Sequence, residues 1–193
     1  MENSSKAVDG KSLIIRARCD SRTFVQLYRC HYDAVFRYCA HRLFCRQLAE
    51  DVTSDVFLKV VENIRSFKGD EKQFRCWLYR IATNAVNNHL RKAARRNRIL
   101  KLACEQANSH VIDCEESDEK LAVLKKAVFS LRPRYQTIII LRFFENLKLT
   151  EIAEVLGSSP GTVRSQLTRA LAKLRKFMAT QFTVKSEVNR NGQ

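Results

Sequence analysis

A chain of 193 residues is long enough for one or two domains and too short for a large barrel. Its five glycines and two prolines fall well below average usage, and strands need turns built from such residues, so an all-β sandwich is disfavoured. Hydrophobic residues at 45% with 28% charged fit a folded chain, and a net charge of +15 suits a polyanionic partner.

No segment approaches the roughly 18 uncharged apolar residues of a membrane helix; the strongly apolar run from Ile138 to Leu141 ends at once on Arg142. The start of the chain has Leu13, Ile14 and Ile15 but no signal-peptide core, so a cytoplasmic protein without membrane insertion is expected. Seven cysteines (19, 30, 39, 45, 76, 104 and 114) form no Cys-x-x-Cys pair, which fits a reducing compartment better than a disulfide framework. Cys30-His31 and Cys39-x-His41 match no standard zinc spacing, and Cys39 falls in register with the apolar positions of its helix. The thiols therefore read as buried structural groups, and neither metal nor cofactor is expected.

Residues 1–21 read as an N-terminal extension, followed by a first domain over 22–95. From Arg22 to about Phe44 apolar residues recur at Phe24, Leu27, Tyr28, Val35, Cys39 and Leu43, near the helical period. A second helix is expected from Leu48 to about Phe67, where Val52, Val56, Val60 and Ile64 repeat every four. It exposes Glu50, Asp51 and Asp55. No histidine or third acid joins these at a metal-binding spacing, so the surface reads as a protein contact.

Gly69 and Asp70 interrupt the pattern, and a third helix is expected from about Lys72 to Lys92. Phe74, Leu78, Ile81, Ala82 and Ala85 line one stripe of it. Arg80, Thr83, Asn84, Asn87 and Arg91 line the opposite one, with Asn88 beside them. Such a set of donors and acceptors suits base edges and phosphates. Trp77, at the border, is either a core anchor or a platform on which an unpaired base stacks. His89 falls on the apolar side and reads as a packed histidine.

Charge divides the rest of the chain. Residues 20–92 carry +5, 93–120 carry −1, and 121–193 carry +9. After Arg95, Arg96 and Arg98 come Glu105, Asp113, Glu115, Glu116, Asp118 and Glu119, an acidic and weakly periodic stretch that reads as a linker over 96–119. About 20 flexible residues have an r.m.s. span near 25 Å, enough to let two domains sit on separate sites.

A second domain is expected over 120–178, opening with Leu121, Leu124 and Val128 on one face. Pro133 punctuates it before a strongly apolar helix from Arg134 to Glu145, and a polar tail over 179–193 closes the chain. Thr150 is the expected N-cap of the next helix, with Glu151 at the positive end of its dipole and Gly157 as its left-handed end. Ser159 then caps another helix with Pro160 at its first position. Helix, tight turn and helix in this compass form a helix-turn-helix.

Projected at about 100° per residue, Val163, Leu167, Ala170, Leu171 and Leu174 share the inward side of the last helix. Ser165, Arg169, Ala172 and Lys176 point the opposite way, flanked by Thr162, Arg164, Lys173 and Arg175. A face with basic residues and no acid favours a groove-reading helix over a merely solvated one. Base contacts are expected from Thr162, Arg164, Ser165, Gln166 and Arg169, while Lys173, Arg175 and Lys176 sit nearer phosphates. The fold class is all-α: two small helical domains joined by an acidic linker, the C-terminal one a helix-turn-helix.

Four strings now resemble one family: Ala49-Glu-Asp-Val-Thr-Ser-Asp-Val-Phe-Leu-Lys, Trp77-Leu-Tyr-Arg-Ile-Ala-Thr-Asn, Glu151-Ile-Ala-Glu-Val-Leu-Gly and Gly161-Thr-Val-Arg-Ser-Gln-Leu-Thr-Arg-Ala. In this order they are similar to bacterial RNA polymerase sigma factors of the sigma-70 family, extracytoplasmic-function (ECF) group, over roughly residues 22–178. The resemblance implies that Asp51, Asp55, Phe57 and Leu58 dock on the clamp helices of the largest subunit of core RNA polymerase. It implies that the loop Ser66 to Gln73, with Lys68, captures a flipped base of the promoter −10 element. Trp77, Arg80, Asn84, Asn87, Asn88 and Arg91 then lie beside the melted single strand. Arg164, Ser165 and Arg169 match the positions that read the duplex −35 element. The acidic linker corresponds to a segment threaded through the polymerase, and an anti-sigma factor is among the partners the family admits.

Two positions depart from the family pattern. Ser54 stands where the family often has Gln, and Gln166 replaces a frequent basic residue. The function expected is promoter recognition and strand opening for transcription initiation, with no active site in this chain. A free-standing helix-turn-helix regulator would explain the second domain and leave the acidic patch and the Asn/Trp face without a use. A nucleic-acid enzyme would need clustered acids or an activated nucleophile, and His31, His41, His89 and His110 belong to no such set.

Overall fold

A computed structural model describes residues 13–103 and 119–190, and every regular element among the described residues is helical. The chain divides into two compact units. The first holds α1 (Ser21–Leu43), α2 (Arg46–Asn63), a 3₁₀ turn (Ile64–Ser66) and α3 (Glu71–Ala103). The second is built on α4 (Glu119–Phe129), α5 (Pro133–Phe143), the larger part of α6 (Leu149–Leu156), and α7 (Pro160–Arg190).

In the first unit α1 packs on α2, and both pack on α3. Asp20 starts α1 by accepting from the backbone N–H groups of Arg22 and Thr23 at 3.1 and 3.0 Å, which satisfies two of the orphan donors of a helix N-terminus. A hydrogen bond from the Thr23 hydroxyl, with those two backbone bonds, holds the Asp20 carboxyl below its ordinary pKa. α3 starts on a full capping box. Asp70 accepts from Gln73 N–H at 2.8 Å while the Gln73 amide oxygen accepts from Asp70 N–H at 2.9 Å. The two breaker residues of the sequence thus mark the N-cap and the residue before it.

α3 outruns its expected end at Lys92 and continues to Ala103, into the segment expected to be linker. Residues 93–103 contain neither Gly nor Pro, so nothing in their backbone stops the helix. The remainder of that segment, 104–118, lies outside the described residues, as do Cys104 and Cys114. The N-terminal extension is also built into the fold over 13–20. Residues 13–17 form a helical turn, and Ile14 and Ala17 are buried.

The cysteines divide. Cys39 and Cys76 are buried as expected, Cys45 is half-buried, and Cys19 and Cys30 are exposed. Cys30 lies on the outer side of α1, out of register with the buried Leu27, Val35, Tyr38 and Cys39. His31 is half-buried with its ring 5.3 Å from that of Phe74, and burial, with the nearby Arg75 charge, lowers its pKa from 6.5. Among the described residues no group of three metal-ligating side chains converges, and no helix is long and apolar enough to cross a membrane.

The second unit packs α7 against α4 and α5. Ala170 on α7 meets Leu131 and Ile139, with Tyr135, Leu167, Leu171 and Leu174 against them. On α4, Ala127 and Val128 are buried and Leu124 is 38% exposed, so the face expected for Leu121, Leu124 and Val128 is buried only in part, the Leu121 side chain lying outside the described residues. Pro133 opens α5 at its first position, where a missing N–H costs nothing.

Candidate nucleic-acid interface

The helix-turn-helix forms from local chemistry. Lys148, rather than Thr150, is the N-cap of α6: its N–H donates to the Glu151 carboxylate at 2.6 Å, and its carbonyl accepts the first helical bond from Ile152 at 2.9 Å. A capping acid works from the third helical position, which places the start one residue before Leu149. Gly157 ends α6 at φ +57°, and Ser158 N–H reaches back to Ala153 C=O at 2.9 Å, the six-to-one bond of a Schellman end. Ser159 Oγ then accepts from Thr162 N–H at 3.1 Å and starts α7.

α7 presents the face that its sequence periodicity describes. Val163 and Ala170 are buried, whereas Thr162, Arg164, Ser165, Arg169, Lys173, Arg175 and Lys176 are exposed. Lys173 Nζ lies 5.6 Å from the Tyr135 ring centre, so its stem is steadied by a cation–π contact while the ammonium stays wet. Gln166 is half-buried, and its amide oxygen accepts from Arg134 Nε at 3.0 Å. The Arg134 guanidinium also donates to Ser158 Oγ at 3.1 Å, which ties the turn to the recognition helix. Arg134 has no periodicity that marks it from sequence; only the crossing of α5 and α7 brings it here. Beyond Lys176 the helix runs to Arg190, through most of the segment expected as a polar tail.

The first unit presents a stripe along α3. Arg80, Asn84, Asn88 and Arg91 are exposed, and Trp77 and Asn87 are half-buried at its edge. Arg91 donates to the Asn88 side chain at 3.3 Å. Asn87 accepts from Arg42 at 3.0 Å. An arginine has donors only, so the atom facing Arg42 is the amide oxygen, and the Asn87 NH₂ remains a donor toward the surface. Arg42 is itself 0% exposed, a buried cation whose guanidinium needs acceptors.

Thr83 does not belong to this stripe. It is 4% exposed and shares a 2.8 Å hydrogen bond with Tyr38, whose hydroxyl pKa is raised by burial. The reason is that α3 is covered by two helices: α2 takes one side, and α1 takes the side where Tyr38, Tyr79 and Thr83 meet. A single-stripe projection underestimates burial on a helix flanked twice.

Trp77 is packed on one side and open on the other. Its ring lies 5.1 Å from Phe67 and 5.6 Å from Phe74, and it also lines an open cavity of about 280 Å³ with Lys59, Asn63, Ser66, Ile81 and Asn84. That volume sits just below the range of small-molecule pockets. Lys59, Asn63 and Ile81 were not among the expected contacts. Lys59 and Asn63 are four apart at the end of α2 and exposed beside α3, a pairing visible in the sequence only when α2 is set against α3. Lys68, in the neighbouring loop, is exposed.

On α2, Asp51, Asp55 and Leu58 share the outer face, Leu58 being 62% exposed. Phe57 does not. At 5% exposure it belongs to the buried stripe Ala49, Val52, Thr53, Val56, Phe57 and Val60, and its ring packs edge-on against Tyr28 at 4.7 Å. Phe57 is therefore a core residue supporting the acidic face and no part of its surface. Val61, 50% exposed, extends that face instead.

Each of the two units contains a segment similar to known proteins. The family model described as Sigma-70 region 2 matches residues 27–96, and the one described as Sigma-70, region 4 matches residues 121–174. The chain is 30% identical over 172 residues to the ECF RNA polymerase sigma factor BldN of Streptomyces coelicolor, covering 86% of this chain and 64% of that relative. It is 31% identical over 172 residues to the RNA polymerase sigma-H factor of Pseudomonas aeruginosa, covering 83% of this chain and 89% of that relative. Among solved structures, CnrH in complex with the cytosolic domain of CnrY shares the fold, with a TM-score of 0.66 at 23% identity over 89% of this chain and 97% of that one.

Proposed function

Since this chain belongs to the sigma-70 family of RNA polymerase sigma factors, in its ECF group, we propose that it works in the cytoplasm as the promoter-specificity subunit of core RNA polymerase and itself performs no chemistry. The observation that carries this reading is the pairing of unlike surfaces. One unit has an amide-rich stripe beside a small open cavity, and the other has a helix-turn-helix with an exposed basic face. A free-standing regulator needs only the second.

In this reading residues 22–95 dock on the polymerase and hold the −10 element, 96–119 tether, and 120–178 hold the −35 element. Asp51, Asp55 and Leu58 meet the clamp helices, with Val61 extending the patch and Phe57 holding it from behind. Trp77, Asn84 and the loop bearing Lys68 receive an unpaired base, while Arg80, Asn87, Asn88 and Arg91 follow the melted strand. Extruding a base costs a few kcal/mol, and stacking on an aromatic ring returns about 1–3 kcal/mol per base. Duplex lacks a free base face, so the cavity favours the open form and shifts the equilibrium toward melting.

On duplex DNA, Arg164, Ser165 and Arg169 read base edges and Thr162 supports them. Gln166, one lone pair of its carbonyl oxygen taken by Arg134, keeps both N–H donors, which suits guanine or thymine acceptors and phosphates better than bidentate pairing with adenine. Lys173 contacts phosphate and adds affinity without sequence preference. An anti-sigma factor that covers either surface is the natural inhibitory partner.

Run-off transcription with purified core polymerase and genomic fragments tests the proposal. Discrete start sites that depend on this protein are the expected result. Identical transcripts with and without it would overturn the reading.

A further inference from the structure

We propose that residues 13–20, which precede the matched Sigma-70 region 2 segment, form a rear support for the base-receiving cavity, with Arg18 as the positioning residue. The inference rests on the −10 reading above and concerns a part of the chain to which that reading assigns no role.

Three contacts build the support. Ile14 is 1% exposed, so the helical turn 13–17 is packed into the first unit and does not trail from it. Asp20 anchors the far end by capping α1, and its own N–H donates to Arg16 C=O at 3.0 Å. Between these anchors an Nη of the Arg18 guanidinium donates to the carbonyl of Phe67, while its Nε is buried with no hydrogen-bond partner among the described residues. A buried cationic donor is costly to leave unpaired, so this contact fixes where the Phe67 backbone can sit.

Phe67 transmits that constraint to the cavity. It follows Ser66 directly, its N–H closes the 3₁₀ turn onto Ile64 C=O at 3.2 Å, and its ring packs 5.1 Å from Trp77 and 5.5 Å from Phe74. Ser66 and Trp77 are two of the cavity walls. Gly69 adds a second reason for tight placement. A Cβ there would come within 2.8 Å of the Phe67 ring and 2.6 Å of the Gln73 amide oxygen. The loop is therefore held from behind by Arg18 and from the front by its own close packing, and it keeps the cavity formed before DNA arrives. Preformed sites avoid the ordering cost of binding.

The test uses full-length protein in reconstituted holoenzyme on a promoter mapped by run-off transcription, with 2-aminopurine at the −10 position expected to be extruded. Arg18→Ala should slow the fluorescence rise of base extrusion at least about tenfold, the lower end of what one charge-assisted hydrogen bond is worth, while core-polymerase affinity and the penalty for a mutated −35 element stay at wild-type values. Arg18→Lys, which retains a cationic donor, should recover most of the rate. Wild-type extrusion by Arg18→Ala would overturn the inference alone, as would a loss spread equally over core binding and both promoter elements. Should Arg18→Ala fail to fold, the Arg18→Lys and Arg18→Gln pair decides. Faster extrusion by Lys than by Gln at equal melting temperature supports the support role, and equal rates overturn it. Wild-type holoenzyme that opens no promoter would remove the −10 reading and this inference with it.

Discussion

The two units expose polar surface by different means. In the second, a single helix carries its contacts on the side opposite a narrow buried stripe, and each basic residue from Arg164 to Lys176 points to solvent. In the first, α3 is packed by α1 and α2 together, so its free surface is only what two neighbours leave uncovered. The same helical period therefore describes α7 faithfully and misplaces Thr83 on α3. Exposure on a twice-covered helix is decided by its neighbours.

The strongest way to sharpen this contrast lies on α2, where adjacent residues face opposite ways. Asp51→Lys with Asp55→Lys should abolish co-purification with core polymerase, because both carboxylates lie on the outer face, and should leave the melting temperature within a degree or two. Phe57→Ala, next to the exposed Leu58, should instead cost about 3–5 kcal/mol of folding stability by opening a core cavity, read by urea denaturation. If Phe57→Ala keeps full stability and loses only polymerase, the assignment of Phe57 to the core is wrong.

On α7, Arg169→Ala should cost about 1–3 kcal/mol of promoter affinity and relax preference at one −35 position. Lys173→Ala should weaken matched and scrambled duplexes alike and lower the salt slope by about one. Binding titrations across salt concentrations distinguish the two, and identical behaviour would merge them into one class of phosphate contact.

Much of this architecture is legible in the amino-acid order because it is written in short-range chemistry. Ser159-Pro160, Gly157 at φ +57° and Asp70 before Gln73 are caps and breakers whose effect reaches no further than a turn. Gly157→Ala accordingly should cost about 1 kcal/mol, since nothing lies within 4 Å of an added Cβ and the penalty is conformational alone. What escaped the sequence are tertiary pairings: Arg134 on Gln166, Arg42 on Asn87, Lys59 and Asn63 beside Trp77, and Arg18 on Phe67. Each joins residues at least 14 positions apart, and none carries a period. The Lys148 cap was hidden for a different reason, because the acid that closes it lies at Glu151 and the cap residue contributes only backbone.

The smallest expected effect is a pH dependence confined to the first unit. Burial lowers the His31 pKa below 6.5, so the folded chain resists the proton that the unfolded chain accepts. Stability contributed by neutral His31 is complete above about pH 6.5 and declines as pH falls below it. In urea denaturation at pH 7.5 and 5.5 the wild type should lose stability on acidification, and His31→Gln should lose less. An unchanged pH slope in the variant would place the dependence elsewhere.

The central claim is that the two surfaces hold different forms of one DNA. Permanganate footprinting of the reconstituted holoenzyme on a mapped promoter, with wild type beside Trp77→Ala and Arg169→Ala, addresses it directly. The account predicts reactive, unpaired thymines in the −10 element and intact duplex at −35 for wild type. Trp77→Ala should lose the reactivity while the complex stays bound, and Arg169→Ala should lose occupancy on weak −35 sites while melting proceeds wherever the complex forms. Equal loss of melting and occupancy in both variants would contradict the division between the units.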